Sequence, residues 1–267
     1  MGIPYAEVIG DPIAHSHSPA IHRFWLGKLG LEGDYRAIRV TPDELPAYLE
    51  ARRTDPDFRG CNVAMPLKEA AFALLGTDPI TRRIGALNTV VRYEDSLRGT
   101  NTDWQGLNLA LDTVRLDPQR VAIVGTGGAA RAALAEMRMQ KAPHVMLISR
   151  TPDKARALLD HFELPGEALR LGTVPEADLL INASPLGMAG YPPLDLDLVG
   201  LAQGATVLDM VYRPVETPLI QAARSRGLRA IDGLAMLIEQ AGMAFTHFFK
   251  QPPARAQNSE LRELLTS

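Results

Sequence analysis

The stretch Arg120-Val121-Ala122-Ile123-Val124-Gly125-Thr126-Gly127-Gly128-Ala129-Ala130 decides the fold. Val121–Val124 is a short apolar run of the kind that forms a strand buried on both faces, and the Ala-rich Ala129–Met139 has helical periodicity. A second apolar run, His144–Ile148, follows. Strand, glycine loop, helix and strand make a βαβ unit. The spacing Gly125-x-Gly127-x-x-Ala130 fits the dinucleotide fingerprint, with alanine in the third small position. Glycines let the backbone approach a pyrophosphate, and the N–H groups and positive dipole end of the helix stabilise its charge. The motif assigns cofactor contacts to Gly125, Thr126, Gly127, Gly128 and Ala129.

In this arrangement the tip of the next strand selects the cofactor. An Asp or Glu there would bind the ribose 2′-hydroxyl of NAD. The chain instead has Ser149-Arg150-Thr151, with Lys154 one helical turn on. Arginine pairs with a 2′-phosphate, so the expected cofactor is NADP. Further strands are predicted at 179–181, 206–210 and 228–231, with a helix near 218–226, which extends the unit to a doubly wound sheet.

Ahead of this unit the first hundred residues alternate again. Extended apolar segments at 6–9, 34–40 and 61–63 enclose helical patterns at 21–29 and 44–51. Thr41-Pro42-Asp43-Glu44 reads as a capping box, with Thr41 as N-cap and Pro42 at the first helical position. Predicted helices at 103–114 and 234–249 connect the two halves. The resulting division is a substrate-binding α/β domain at 1–103, a Rossmann-type NADP-binding domain at 104–232 and C-terminal helices at 233–267. The last helices are expected to pack back on the first domain and leave a cleft between lobes.

Composition narrows the function classes. The 267 residues are 46% hydrophobic and 22% charged, with net charge −3 and basic residues scattered, which disfavours nucleic-acid binding. No apolar run reaches membrane-spanning length, and the N-terminus lacks the basic and apolar segments of a signal peptide. With Cys61 as its single cysteine, the chain forms no internal disulfide, and a cytoplasmic enzyme with small-molecule partners is expected. His15, His17 and His22 cluster, but no carboxylate or cysteine completes a recognisable metal set, so no metal is expected.

Val8-Ile9-Gly10-Asp11-Pro12-Ile13-Ala14-His15-Ser16-His17-Ser18-Pro19 resembles the N-terminal motif of the shikimate dehydrogenase family. The resemblance continues in order through Gly60-Cys61-Asn62-Val63-Ala64-Met65-Pro66-Leu67-Lys68, Gly85–Val90, Asn101-Thr102-Asp103, Asn182–Met188, Asp209–Pro214 and Asp232–Ala241. It implies an NADP-dependent enzyme of aromatic amino acid and chorismate biosynthesis that interconverts 3-dehydroshikimate and shikimate. By the same resemblance Ser16 and Ser18 hold the substrate carboxylate, and Asn88, Asp103 and Gln240 contact ring hydroxyls. Lys68 exchanges the proton, and Asp103 orients it. Tyr212 and Gly233 lie near the nicotinamide with Met210 and Met236, and Asn182 and Ser184 contribute to the cofactor site.

Two hydroxyls two residues apart in an extended chain share one face, which suits Ser16 and Ser18 to a carboxylate and turns His17 the other way. Ala64 stands where the resemblance leads one to expect a threonine that touches substrate. Quinate or an amino analogue of shikimate is therefore an alternative substrate, and a non-catalytic sensor of the same ligands is a third reading. The retained Lys68 and Asp103 disfavour that third reading. Monomer and homodimer are both open.

Overall fold

The computed structural model describes residues 2–112 and 119–266. The last two residues of the helix expected at 103–114 lie outside the described residues. The chain forms two compact units, Met1–Thr102 with Gln240–Ser267, and Asp103–Glu239.

In the first unit the elements run β1 Tyr5–Gly10, α1 Ser18–Leu29, β2 Asp34–Arg39, α2 Leu45–Arg53, β3 Phe58–Val63, α3 Lys68–Leu74, β4 Gly76–Thr77, α4 Pro79–Ile84, β5 Thr89–Tyr93 and β6 Ser96–Thr100. Their sheet has the order β2-β1-β3-β5-β6-β4. It is mixed. β1, β2 and β3 are parallel, whereas β5 runs antiparallel to both β3 and β6.

The second unit runs α5 Asp103–Asp112, β7 Arg120–Val124, α6 Gly128–Met139, β8 His144–Ser149, α7 Pro152–His161, β9 Gly166–Arg170, β10 Leu179–Asn182, β11 Thr206–Asp209, α8 Pro218–Ser225 and β12 Arg229–Ile231. Its sheet is parallel throughout, in the order β12-β11-β10-β7-β8-β9. The order reverses between β7 and β10, which is the switch point where open α/β sheets bind ligands. Helix α9, Gly233–Phe249, crosses the division: Gly233–Glu239 belongs to the second unit and the rest to the first, followed by α10, Asn258–Thr266. The sequence pattern had placed that crossing at 232/233, at the start of the same helix.

Period-two alternation in β1 explains the layering of the first unit. Tyr5 and Ile9 enter one core with Leu45, Leu49 and Phe58, while Ala6 and Val8 enter the other with Tyr35, Ala244 and Phe248. Glu7, 1% exposed, is held on the first of these faces by a bidentate ion pair with Arg52 at 2.8 and 3.0 Å. Cys61 is fully buried there, and burial pushes its thiol up to about 12. A small apolar side chain, rather than a nucleophile, is what this environment supports.

The expected start of α2 needs correction. Glu44 does reach back to the Thr41 N–H at 2.8 Å, but Thr41 donates its own hydroxyl to that carboxylate at 3.0 Å instead of capping, and the helix begins at Leu45. Pro46 is the cause. It lacks the N–H that would bond to the carbonyl of Pro42, so the Pro42–Glu44 segment forms a turn rather than a first helical turn. Among the described residues no helix is long and apolar enough to cross a membrane.

Candidate active site

The glycine loop closes the carboxyl end of β7 and leads into α6. Gly125 has φ +116, and a Cβ there would stand 2.9 Å from the carbonyl oxygen of Ala183, in the loop after β10. Only glycine satisfies both constraints. Gly127, the N-cap of α6, makes no side-chain cap, and a Cβ at that position would meet nothing within 4 Å. The first-turn N–H groups of Gly128, Ala129 and Ala130 therefore form an uncapped, positively polarised helix end beside a side-chain-free backbone. This cradle fits a pyrophosphate, and Thr126 lies half-buried in the same loop.

At the tip of β8 the buried Ser149 hydroxyl donates to the Thr151 carbonyl at 2.8 Å and accepts from the Thr151 N–H at 3.1 Å, closing a tight turn. Arg150 and Lys154 are exposed on and after this turn, with the basic groups a 2′-phosphate requires. The donor set thus fits NADP.

Asn182 ends β10 fully buried. Its amide donates to Leu186 O at 3.0 Å and Asp209 Oδ1 at 2.9 Å, and its oxygen accepts from the Ser184 N–H and hydroxyl at 3.1 and 2.7 Å. Its side chain organises the loop that carries Ser184. Burial pushes the Asp209 carboxyl above the ordinary value, against hydrogen bonds from Thr217, Val211 and Asn182. Beyond β11, Met210 and Tyr212 are half-buried, and Gly233 opens α9 where a Cβ would strike the backbone of Met210 and Val211. Met236 is buried one turn later.

The other predicted residues belong mainly to the first unit. Ser16 and Ser18 enter α1 through a turn, because His17 is helical at φ −78, ψ −11 and Ser16 Oγ accepts the Ser18 N–H at 3.2 Å. The expectation of an extended chain with both hydroxyls on one face is therefore overturned, and Pro19 at the second helical position explains the early helix start. Lys68 is half-buried as the first residue of α3, its carbonyl accepting from Leu87 N at 3.0 Å. Asp103 is the first residue of α5, in the second unit, and 5% exposed.

Asn88, 3% exposed, and Gln240, 7% exposed, meet directly: Asn88 Nδ2 donates to Gln240 Oε1 at 3.2 Å and to Thr102 Oγ1 at 3.0 Å. Burying this much amide and hydroxyl is costly unless it is satisfied, so the cluster is a built polar site rather than a chance surface grouping.

Residues 8–90 match the model of the shikimate dehydrogenase substrate binding domain. The shikimate dehydrogenase (NADP(+)) of Sphingopyxis alaskensis is 52% identical over 268 residues, with 99% of this chain and 97% of that protein covered. The chain belongs to the shikimate dehydrogenase family. Among solved structures, the shikimate 5-dehydrogenase of Thermus thermophilus in complex with NADP(H) and shikimate superposes with TM-score 0.89 at 36% identity, covering 98% of this chain and all of that one. The ligand-free 5-ketofructose reductase of a Gluconobacter species superposes with TM-score 0.87 at 26% identity over 99% of both chains. A reductase named for another substrate shares the fold, so within this family's architecture the fold alone does not choose the substrate.

Sequence reading passed over three side chains of this shikimate dehydrogenase family member that surround Asn88: Tyr35, Asn62 and Thr89. Asn62 lies between the apolar Cys61 and Val63, and Thr89 directly precedes Val90-Val91, which was the available signal. His22 is elsewhere. It lies fully buried, stacked on Tyr35 at 4.0 Å and edge-on to Trp25, and does not face a centre shared with His15, which is exposed.

Proposed function

We propose that the chain interconverts 3-dehydroshikimate and shikimate with NADP, Lys68 exchanging the hydroxyl proton. The observation that carries this reading is the buried amide–hydroxyl cluster of Asn88, Thr102 and Gln240, followed in the chain by Asp103. A polyhydroxylated ring can add hydrogen bonds to groups gathered in this way, whereas an apolar substrate would offer them none.

Oxidation removes a hydride from the carbinol carbon and a proton from its oxygen. Bound NADP supplies the hydride acceptor, or the donor in reverse. Gly125, Thr126, Gly127, Gly128 and Ala129 would hold its pyrophosphate, and Arg150 and Lys154, with Ser149 and Thr151 shaping the turn, its 2′-phosphate. Asn182 keeps the Ser184 loop in place, and Met210, Gly233 and Met236 flank the ring end of the cofactor. On the substrate side Ser16 and Ser18 bind the carboxylate, Asn88, Asp103 and Gln240 hold ring hydroxyls and Tyr212 contacts the substrate beside the nicotinamide. The Lys68 amine takes the hydroxyl proton during oxidation and returns it during reduction, and Asp103 orients it. The single, buried Cys61 suits the cytoplasm, where we place the protein.

Ala64 favours a second reading, quinate or an aminated relative as substrate, because alanine removes a hydroxyl and admits a different substituent. NADP reduction with shikimate and quinate side by side, with Lys68→Ala as control, tests both. Shikimate preferred by kcat/KM, with turnover falling by ~10²–10⁴ in the variant, is the expected result. Quinate preferred would install the second reading, and near-wild-type turnover of Lys68→Ala would reject the proton role.

A further inference from the structure

The hydrogen-bond polarity of the Asn88 cluster can be worked outward from backbone groups, which have only one possible role each. The Thr102 N–H donates to the Asn88 side chain at 2.7 Å, and an N–H cannot accept, so the atom facing it is Oδ1. Nδ2 must then face Gln240, and the atom receiving it must be Oε1. The Thr102 hydroxyl accepts from Asn88 Nδ2, and its own proton has Gln240 Oε1 and Asn88 Oδ1 within reach, each at 3.3 Å. With its oxygen turned to Asn88 Nδ2, Gln240 has its NH2, a donor, directed away from the Asn88 amide.

A backbone carbonyl fixes the other side of the cluster. Asn62 Nδ2 donates to the Asn88 carbonyl at 3.2 Å, which fixes its orientation and places Oδ1 against the Tyr35 hydroxyl at 2.6 Å. Tyr35 is fully buried, and burial holds its phenol well above its ordinary value, so it remains the donor. Asn62 Nδ2 also donates to Thr89 Oγ1 at 3.0 Å, which leaves the Thr89 proton for Asn88 Oδ1, likewise at 3.0 Å. Thr89 is fully buried and lies on β5, directly after Asn88.

We infer that Thr89 is a positioning residue, whose hydroxyl, itself set by Asn62 and Tyr35, joins the Thr102 N–H in holding Asn88 Oδ1 and so keeps Gln240 a hydrogen-bond donor toward the substrate. The inference rests on the proposed shikimate reaction and names a residue that acts on it through others. Removing the hydroxyl leaves Asn88 Oδ1 held by the Thr102 N–H without its second donor, which loosens the Asn88 amide and Gln240 with it.

The test is steady-state kinetics of wild type, Thr89→Val and Thr89→Ser with shikimate and with a ring-deoxy analogue that lacks one non-reacting hydroxyl. In Thr89→Val the KM for shikimate should rise, and the preference for shikimate over the analogue should shrink, by about two- to tenfold, the range of one neutral hydrogen bond. The KM for NADP should not move, and Thr89→Ser should restore the preference. If Thr89→Val does not accumulate as folded protein, Thr89→Ala, which adds no bulk, is read in its place with the same expectation. A variant with lower thermal stability but an unchanged preference would overturn the inference while wild-type turnover upheld the reaction. Wild-type protein that does not oxidise shikimate would overturn both.

Discussion

His22 offers a sharp test of how the first unit is held together. Its ring lies in an aromatic enclosure made by Trp25, Tyr35, Phe245 and Phe248, and neither ring nitrogen has a hydrogen-bonding partner among the described residues. Burial lowers the imidazole from 6.5 to about 3. Between those values the unfolded chain binds a proton that the folded chain refuses, so this contribution to stability is fully present above pH 6.5 and is lost as the pH falls. Worked through the linkage relation, the loss is about 2 kcal/mol between pH 7 and pH 5 and about 3 kcal/mol by pH 4. His22→Phe keeps an aromatic ring against Tyr35 and removes the proton site. Urea unfolding of both proteins at pH 7, 6, 5 and 4, followed by circular dichroism, should show the variant gaining on wild type by these amounts. The comparison cancels the carboxylates: those lowered by hydrogen bonds, such as Asp34 and Asp78, and Asp209, raised by burial, titrate alike in both proteins. A stability difference that stays constant from pH 7 to pH 4 would refute the argument.

Three further perturbations probe other parts of the molecule. Arg150→Ala should reduce the NADP-over-NAD ratio of kcat/KM by roughly 10–150-fold, the worth of one charged hydrogen bond; an unchanged ratio would reject Arg150 as the 2′-phosphate contact. Gly125→Ala, which combines a φ of +116 with a Cβ against Ala183 O, should cost about 1–3 kcal/mol and raise the KM for NADP, with wild-type stability and KM as the contrary result. Arg52→Met strands the Glu7 carboxylate at 1% exposure with only the Tyr48 hydroxyl, and should lower unfolding free energy by about 3–5 kcal/mol in urea titration; a loss below 1 kcal/mol would mean that water reaches Glu7.

What was legible in the sequence follows from how local each constraint is. Gly125 and Gly127 could be read because a strand, a sharp turn and a helix start must occur within a few residues for the cradle to exist. The β5–β6 hairpin passed unnoticed. Its turn is Glu94-Asp95, with Glu94 at φ +52, where the usual signal would be Asn-Gly. The edge strand β9, Gly-Glu-Ala-Leu-Arg, carries residues that favour helix as readily as strand. Ser16 and Ser18 were recognised as a pair, but the alternation rule used for their direction fails once His17 turns helical. The relay through Tyr35, Asn62 and Thr89 takes two steps of 27 residues each across three strands, and no local pattern encodes that register.

Ala64 shows why the scaffold and the substrate preference separate so readily. Its backbone is fixed on both sides, donating to Ile9 O at 2.7 Å and accepting from Leu67 N at 3.0 Å. Gly10, having no side chain, lets this segment lie against the end of β1: a Cβ on Gly10 would stand 2.8 Å from Met65 O and 3.0 Å from Ala64 Cβ. The two backbone bonds do not involve the side chain at 64, and the bare Gly10 leaves room beside the Ala64 Cβ, so that position can change its chemistry while the path to Lys68, four residues on, stays where it is. The magnitudes point the same way. A hydroxyl gained or lost at 64 is worth about 0.5–1.5 kcal/mol, close to tenfold in affinity, against the ~10²–10⁴ in rate carried by a positioned proton carrier. A side chain of that weight shifts the choice among related ring alcohols and leaves the reaction intact, so family membership fixes the chemistry here more firmly than it fixes the substrate.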